Sequence, residues 1–178
     1  MSEEGLDLDL QRASATWPRP RRVALAAPDP SWPDEARRWT ARLAGLPGLR
    51  GIEHVGATAV PDLPAVAQVD LLAVVDDPDD EALRTALEAR EFDERGVGVW
   101  SRSARPDDVP CPTAVEVALL RPDDAAAEDR RRLRDLLRAD PAAARRYTDV
   151  RRGLAGDYRD LAAYRAAKGP VIAALLRS

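Results

Sequence analysis

Up to about position 120, apolar residues come in short runs suited to strands, interrupted by two helical stretches. Beyond it they recur every three or four residues. Residues 21–27 (RRVALAA) alternate well enough for a first strand. A helix follows, with Ser31 as its cap, Pro33 in its first turn and Trp39, Leu43 and Leu46 as its apolar stripe; Gly48 stops it. Residues 50–55 (RGIEHV) read as a short strand running into Gly56, and a loop over 57–67 leads to an apolar strand at 68–75. The segment 76–92 predicts an amphipathic helix through Leu83, Leu87 and Phe92. Two further strands are expected at 96–103 and 113–120, with a polar loop between them. The remainder is helical: 123–140 up to Pro141, then a longer helix carrying Tyr147, Val150, Leu154, Tyr158 and Leu161. Gly169 and Pro170 are expected to break that helix, leaving a final apolar turn or two. Residues 1–20 lack periodicity and read as a flexible tail, so a single domain over 21–178 is expected. The order β-α-β-β-α-β-β-α-α predicts an α+β fold, a small mixed sheet with helices largely on one side and a helical C-terminus.

Composition narrows the class. With 178 residues, 33% charged and 45% hydrophobic, the chain is one soluble domain large enough to enclose a core. The net charge of −4, with both signs interspersed, argues against nucleic acid or an anionic membrane as partner and leaves a small-molecule substrate. No apolar run reaches membrane-spanning length and the acidic N-terminus is unlike a signal peptide, so a cytoplasmic location is expected. The lone Cys111 precludes an internal disulfide; set between two prolines and far from the only histidine, it reads as structural. Lys168 is the single lysine among 27 basic residues, in a chain whose arginine, alanine and proline content reflects a GC-rich coding bias. Individual arginines therefore say little. Oligomeric state leaves no mark on the sequence.

Two predicted strands carry an acid flanked by apolar residues, Val69-Asp70-Leu71 and Val115-Glu116-Val117. A buried carboxylate needs a cation, strong hydrogen bonds or a proton. The pair reads either as a divalent-metal site, for which Mg²⁺ is suited by its taste for one or two carboxylates plus phosphate oxygens, or as acids on a strand that faces water. Asp70 lies fourteen residues after Gly56. A turn of the type formed by Gly56, Ala57 and Thr58 offers backbone N–H groups and a hydroxyl to an anion. His54, at the strand end beside that turn, either contacts phosphate and orients the loop or is satisfied within the core. By contrast, Asp76, Asp77, Asp79 and Asp80 crowd a helix N-terminus, where negative charge is favourable without any metal. The tyrosines of the C-terminal stripe read as core rather than as a ligand box.

The stretch IEHVGATAVPDLPAVAQVDLLAVV resembles the signature of the GrpB family, roughly I-x-H-V-G-S-T-A-V-P-G-L-x-x-K-P-x-I-D-I. The end of the chain, from LRADPAAARRYTDVRRGLA to AYRAAKGPVIAALL, is similar to the family's closing helices, including a Tyr-x-x-x-Lys formed by Tyr164 and Lys168. The resemblance spans about residues 22–177. It implies a minimal nucleotidyltransferase-like fold and, as an expectation, a transferase that binds a nucleoside triphosphate with Mg²⁺ and acts on a small acceptor. Asp70 and Glu116 would hold the metal and, with His54, form the catalytic set; Gly56, Thr58 and Lys168 would bind the nucleotide. His54, Gly56, Thr58, Pro61 and Asp70 match the family pattern. Ala57 replaces its serine, Asp62 its second glycine and Val66 its lysine; Glu116-Val117-Ala118 stands where a His-x-His strand is usual. Leu72 occupies the place of the second acid of classical nucleotidyltransferases. Arg102 or Arg105 are candidates to replace the missing lysine. The departures keep open an enzyme with a non-nucleotide substrate and a non-catalytic binding module.

Overall fold

The structure, a computed structural model, describes residues 23–104, 113–157 and 161–177, apart from the side chains of 156, 157, 161 and 162. The expected tail over 1–20, together with Arg105, Cys111 and Tyr158, lies outside the described residues, as does the side chain of Leu161. In chain order the elements are α1 (Trp32–Leu43), β1 (Leu49–Val55), a 3₁₀ turn (Ala57–Ala59), β2 (Gln68–Val75), α2 (Glu81–Glu88), β3 (Asp93–Gly96), β4 (Val99–Arg102), β5 (Ala114–Leu120), α3 (Ala125–Ala139), α4 (Pro141–Asp157) and α5 (Leu161–Leu176). The five strands form one mixed sheet ordered β1-β2-β5-β4-β3. Only β2 and β5 run parallel; the other neighbours are antiparallel.

Both faces of β2 are buried, which accounts for its nearly continuous apolar run. Val69, Leu71, Ala73 and Val75 pack with Val115, Val117 and Leu119 of β5 against Trp39 and Leu43 of α1 and Leu83 and Leu87 of α2. Alternation sends Asp70, Leu72 and Val74 to the opposite face, where Leu72 and Val74 meet Val55 and Ala127 of α3. The expectation of helices largely on one side is thus corrected. Helices α1 and α2 cover one face, and the layer of α3, α4 and α5 covers the other. Because Asp70 lies near the start of β2, it points into the end of this second layer.

Local chemistry explains the helix starts. Pro33 stands in the first turn of α1, and Asp80 and Asp124 cap α2 and α3 by accepting from Leu83 N and Ala126 N. In the aspartate run before α2, Asp80 is thus the cap, while Asp76 and Asp77 pair with Arg50 and Arg121. Helix α3 is pinned to β1 by Arg131 and Arg134, which reach Glu53 at 2.7 and 3.0 Å. Arg138 fixes the 3₁₀ turn by donating to the Ala59 carbonyl at 3.0 and 2.7 Å.

Four further expectations are revised. In place of a strand over 21–27, the described part holds an isolated bridge, Ala26 to Ala65. The strand expected at 96–103 is found as β4, and it pairs with a first arm, β3, to which the sequence assigns no element; β3 is exposed and carries Asp93, Glu94 and Arg95, so it shows no apolar alternation. Pro170 does not break α5. Val171, Ile172, Leu175 and Leu176 pack on Leu133 and Leu137 of α3, and this burial outweighs the hydrogen bond proline cannot make. Finally, the buried stripe of α4 runs through Tyr147 and Arg151, while Val150 is 38% exposed. No helix among the described residues is long and apolar enough to cross a membrane.

Leu43 is fully buried between α1 and the sheet. Leu43→Ala should lower the free energy of unfolding in urea by about 2–5 kcal/mol, with no change in the chemistry of the opposite face.

Candidate functional site

Parallel pairing places Asp70 directly opposite Glu116. Facing residues of adjacent strands share a face of the sheet, about 5 Å apart, so the two carboxylates stand side by side beneath the helical layer. They open into a cavity of about 360 Å³ between the sheet end and α3–α5, also lined by Gly56, Tyr147, Arg151, Tyr164, Arg165 and Lys168.

Gly56 is required by this geometry. Its φ of +74° lies in the left-handed region, and a Cβ there would sit 2.3 Å from Asp70 Oδ2. The bare backbone thus abuts the carboxylate, and the chain turns away immediately into the 3₁₀ turn. Asp70 Oδ1 accepts from Gln68 Nε2 at 2.7 Å. Glu116 is ion-paired with Arg165 of α5. Burial pushes the Glu116 carboxyl above its ordinary range, and the negative Asp70 beside it pushes further; Arg165 opposes both.

Three cations of the C-terminal helices meet in the same space. Arg151, only 2% exposed, donates from Nη1 to the Pro64 carbonyl at 2.8 Å and from Nε to the Tyr164 hydroxyl at 3.2 Å. Its guanidinium lies 5.0 Å from the Tyr147 ring centroid, and Lys168 Nζ lies 5.0 Å from that of Tyr164. Burial, reinforced by Arg151, brings the Lys168 ammonium down to about 8. Burial raises the Tyr147 phenol to about 12, keeping it a neutral hydroxyl.

The anticipated residues are thus divided. Asp70, Glu116, Gly56 and Lys168 converge on one cavity. Thr58 lines it, but its hydroxyl donates to the Gln68 carbonyl at 3.1 Å and so is committed to holding the turn against β2. His54 pairs with Leu71 in the β1–β2 register, which turns it from the Asp70 face, and it lines a separate groove with Pro33 and Pro61. With the Thr58 proton engaged, the 3.0 Å contact from His54 has Nε2–H donating to Thr58 Oγ1. Burial, then Arg138 and Arg134, lower the His54 imidazole to about 4, so it is neutral near pH 7. His54 acts on the site only through Thr58.

Arg102 is also redirected. It lies on the α1 side of the sheet, 4.9 Å from the Trp39 ring centroid and 3.4 Å from Glu91. The arginines of the cavity, Arg165 on Glu116 and Arg151 beside Tyr164, carry no signal in an arginine-rich chain; nor does Gln68, although its place two residues before Asp70 puts both on one face. Among the described residues no cluster of three or more metal-ligating side chains forms.

Two measurements check this architecture. Gly56→Ala should destabilise the fold by about 1–3 kcal/mol in thermal unfolding, because the new methyl must displace Asp70 or the turn. For His54, the folded group titrates near 4 and the unfolded one near 6.5. Its contribution is therefore complete above pH 6.5 and lost as pH falls through about 4. Urea unfolding from pH 7 to pH 4 should show wild type losing on the order of 2 kcal/mol relative to His54→Gln.

Known proteins resemble the chain along most of its length. It is 29% identical over 166 residues to a UPF0157 protein of Halalkalibacterium halodurans, covering 87% of this chain and 81% of that one. A 54-residue stretch is 41% identical to part of a dephospho-CoA kinase of Mycolicibacterium paratuberculosis, 29% of this chain but only 13% of that protein. The fold matches the crystal structure of conserved protein GrpB from Enterococcus faecalis with a TM-score of 0.66 at 21% identity, over 86% of this chain and 95% of that one. That likeness is of fold, the nucleotidyltransferase-like α+β arrangement. The GrpB protein family model matches residues 22–178, and the chain belongs to the GrpB family.

Proposed function

We propose that this protein is a nucleotidyltransferase-like transferase that takes a nucleoside triphosphate with Mg²⁺ and passes its nucleotidyl group to a small acceptor. The observation that carries the reading is the in-register pair of Asp70 and Glu116 on one face of the sheet, opening into a cavity that Arg165 and Lys168 also enter.

The donor set fits the metal. Two hard carboxylates beside a backbone that approaches without a side chain match an ion that takes one or two acids and fills its shell with water and phosphate oxygens. Leu72 offers no third oxygen on β2, so Asp70 and Glu116 would be the strand ligands. Bound there, Mg²⁺ would neutralise phosphate charge and help align the triphosphate. The residues supply the rest. Arg165 exchanges Glu116 for a phosphate oxygen, Lys168 adds positive charge, and the backbone at Gly56 lets the phosphates lie close to Asp70. In the reaction an acceptor oxygen bonds to the α-phosphorus, the bond to pyrophosphate breaks, and the acceptor's proton passes to solvent or to a cavity base. Most of the gain comes from positioning and charge stabilisation. His54 serves as a positioning residue by holding Thr58.

A second reading, a metal-free enzyme acting on a non-nucleotide substrate, is favoured by one observation. Both carboxylates already have partners within the protein, Gln68 on Asp70 and Arg165 on Glu116.

Isothermal titration with ATP and GTP, with and without Mg²⁺, separates the two. The first reading expects heat that depends on Mg²⁺ and binding weakened at least about tenfold, roughly 1.4 kcal/mol, in Asp70→Asn and Glu116→Gln variants of unchanged thermal stability. Absence of heat from every nucleotide, with or without the metal, discards nucleotidyl transfer and leaves the second.

A further inference from the structure

Buried cations normally have a carboxylate near them, because an unpaired charge away from water is costly. Elsewhere in this fold the rule is kept: Arg134 meets Glu53, Arg165 meets Glu116 and Arg102 meets Glu91. Arg151 and Lys168 depart from it. Among the described residues neither has a carboxylate within ion-pair distance. Arg151 is almost wholly buried, yet its two hydrogen bonds go to a carbonyl and a phenol, both neutral. Lys168 makes no hydrogen bond among the described residues and rests on the Tyr164 ring.

The way these cations are held matters. A carboxylate partner would cancel their charge. A carbonyl, a hydroxyl and two ring faces fix their positions and leave the charge available to something else. The Tyr164 hydroxyl ties the two together, since it receives Arg151 Nε while its ring carries Lys168. Two like charges brought together in this way repel; Asp70 and Glu116 act on Lys168 only from beyond ion-pair distance, and an anion bound between or beside the two cations would offset the repulsion directly.

We propose that Arg151 and Lys168, framed by Tyr147 and Tyr164, form an oxyanion subsite at the helical side of the cavity, which takes a phosphate or carboxylate group of the substrate. The flat fork of Arg151 suits paired oxygens, and Lys168 contributes a point charge. The inference deepens the reading above by naming an anionic group that the substrate must carry. It shares the cavity with that reading but requires neither Mg²⁺ nor a nucleotide.

The test is thermal unfolding of the full chain in buffer of constant ionic strength, without divalent metal, titrated with inorganic pyrophosphate in one arm and succinate in the other. Sodium chloride is the control. At least one of the two anions should raise the Tm of wild type beyond the chloride control, and the arm that does so identifies phosphate or carboxylate as the ligand chemistry. Lys168→Met should abolish the shift and, by removing an unpaired charge, should leave the ligand-free protein at least as stable as wild type. Arg151→Lys, which keeps the charge but loses the fork, should weaken the apparent affinity about tenfold. No shift in wild type with either anion overturns the proposal. So does an undiminished shift in Lys168→Met, or a loss of ligand-free stability in that variant, which would assign the lysine a structural role. Mg²⁺-dependent nucleotide heat that survives in Lys168→Met would sink the subsite while sparing nucleotidyl transfer. Metal-free anion shifts without nucleotide heat would do the reverse.

Discussion

The parallel pairing of β2 with β5 is the constraint on which the site depends. It puts Asp70 and Glu116 in one register, and two neighbouring carboxylates under a helical layer repel unless something positive or hydrogen-bonding intervenes. The register itself is set by the apolar residues around the acids. A slip of one residue would send Val69 and Leu71 to the Asp70 side and the carboxylate into the core under α1, so the packing that stabilises the domain also fixes the spacing of the acids. Arg165 and Gln68 then make the pair tolerable, one through charge and the other through a hydrogen bond.

The turn beside the pair is held by a chain of contacts from outside the cavity. Arg138 of α3 grips the Ala59 carbonyl, Thr58 grips β2 at Gln68, and a neutral His54 donates to Thr58. Gln68 is the end of that chain and the start of the site, since its side chain reaches Asp70. A histidine outside the cavity lining is thereby linked to the carboxylate through two side chains, those of Thr58 and Gln68, and one backbone carbonyl. Its neutrality is part of the arrangement: burial and two nearby arginines keep the proton off, and an imidazolium there would sit beside like charge.

Much of this was legible in the sequence, for identifiable reasons. Gly56, Asp70 and Glu116 stand out because a glycine turn and acids inside apolar strands break the local pattern, and a broken pattern is where sequence reading has most purchase. The strands β2 and β5 announce themselves by continuous apolar runs. The edge hairpin does not, because β3 is polar throughout and its existence depends on pairing with β4. Pro170 misled because a local rule was applied where packing against α3 decides the outcome. His54 was placed correctly beside the turn, but which face of an edge strand it takes follows from register, which a lone sequence does not supply. Arg151 was hidden twice. It is one of many arginines, and it falls on the buried stripe of α4 at the step where Val150 looked the natural choice.

That last misreading bears on how the cavity works. The sheet contributes Asp70 and Glu116, and the helices α4 and α5 contribute Arg151, Arg165 and Lys168, so the site exists at the seam between the two layers. Tyr164, Arg165 and Lys168 lie within little more than one turn of α5, and Arg165 is the residue that reaches across to a strand. The Glu116–Arg165 ion pair is therefore a tie between layers as well as a way to relieve the acids. A ligand that draws Arg165 to its own oxygens would release that tie and at the same time give Arg151 and Lys168 a directly paired anion. Occupancy of the cavity and the attachment of α5 to the sheet are thus two aspects of one electrostatic balance, set by which anion the arginine faces.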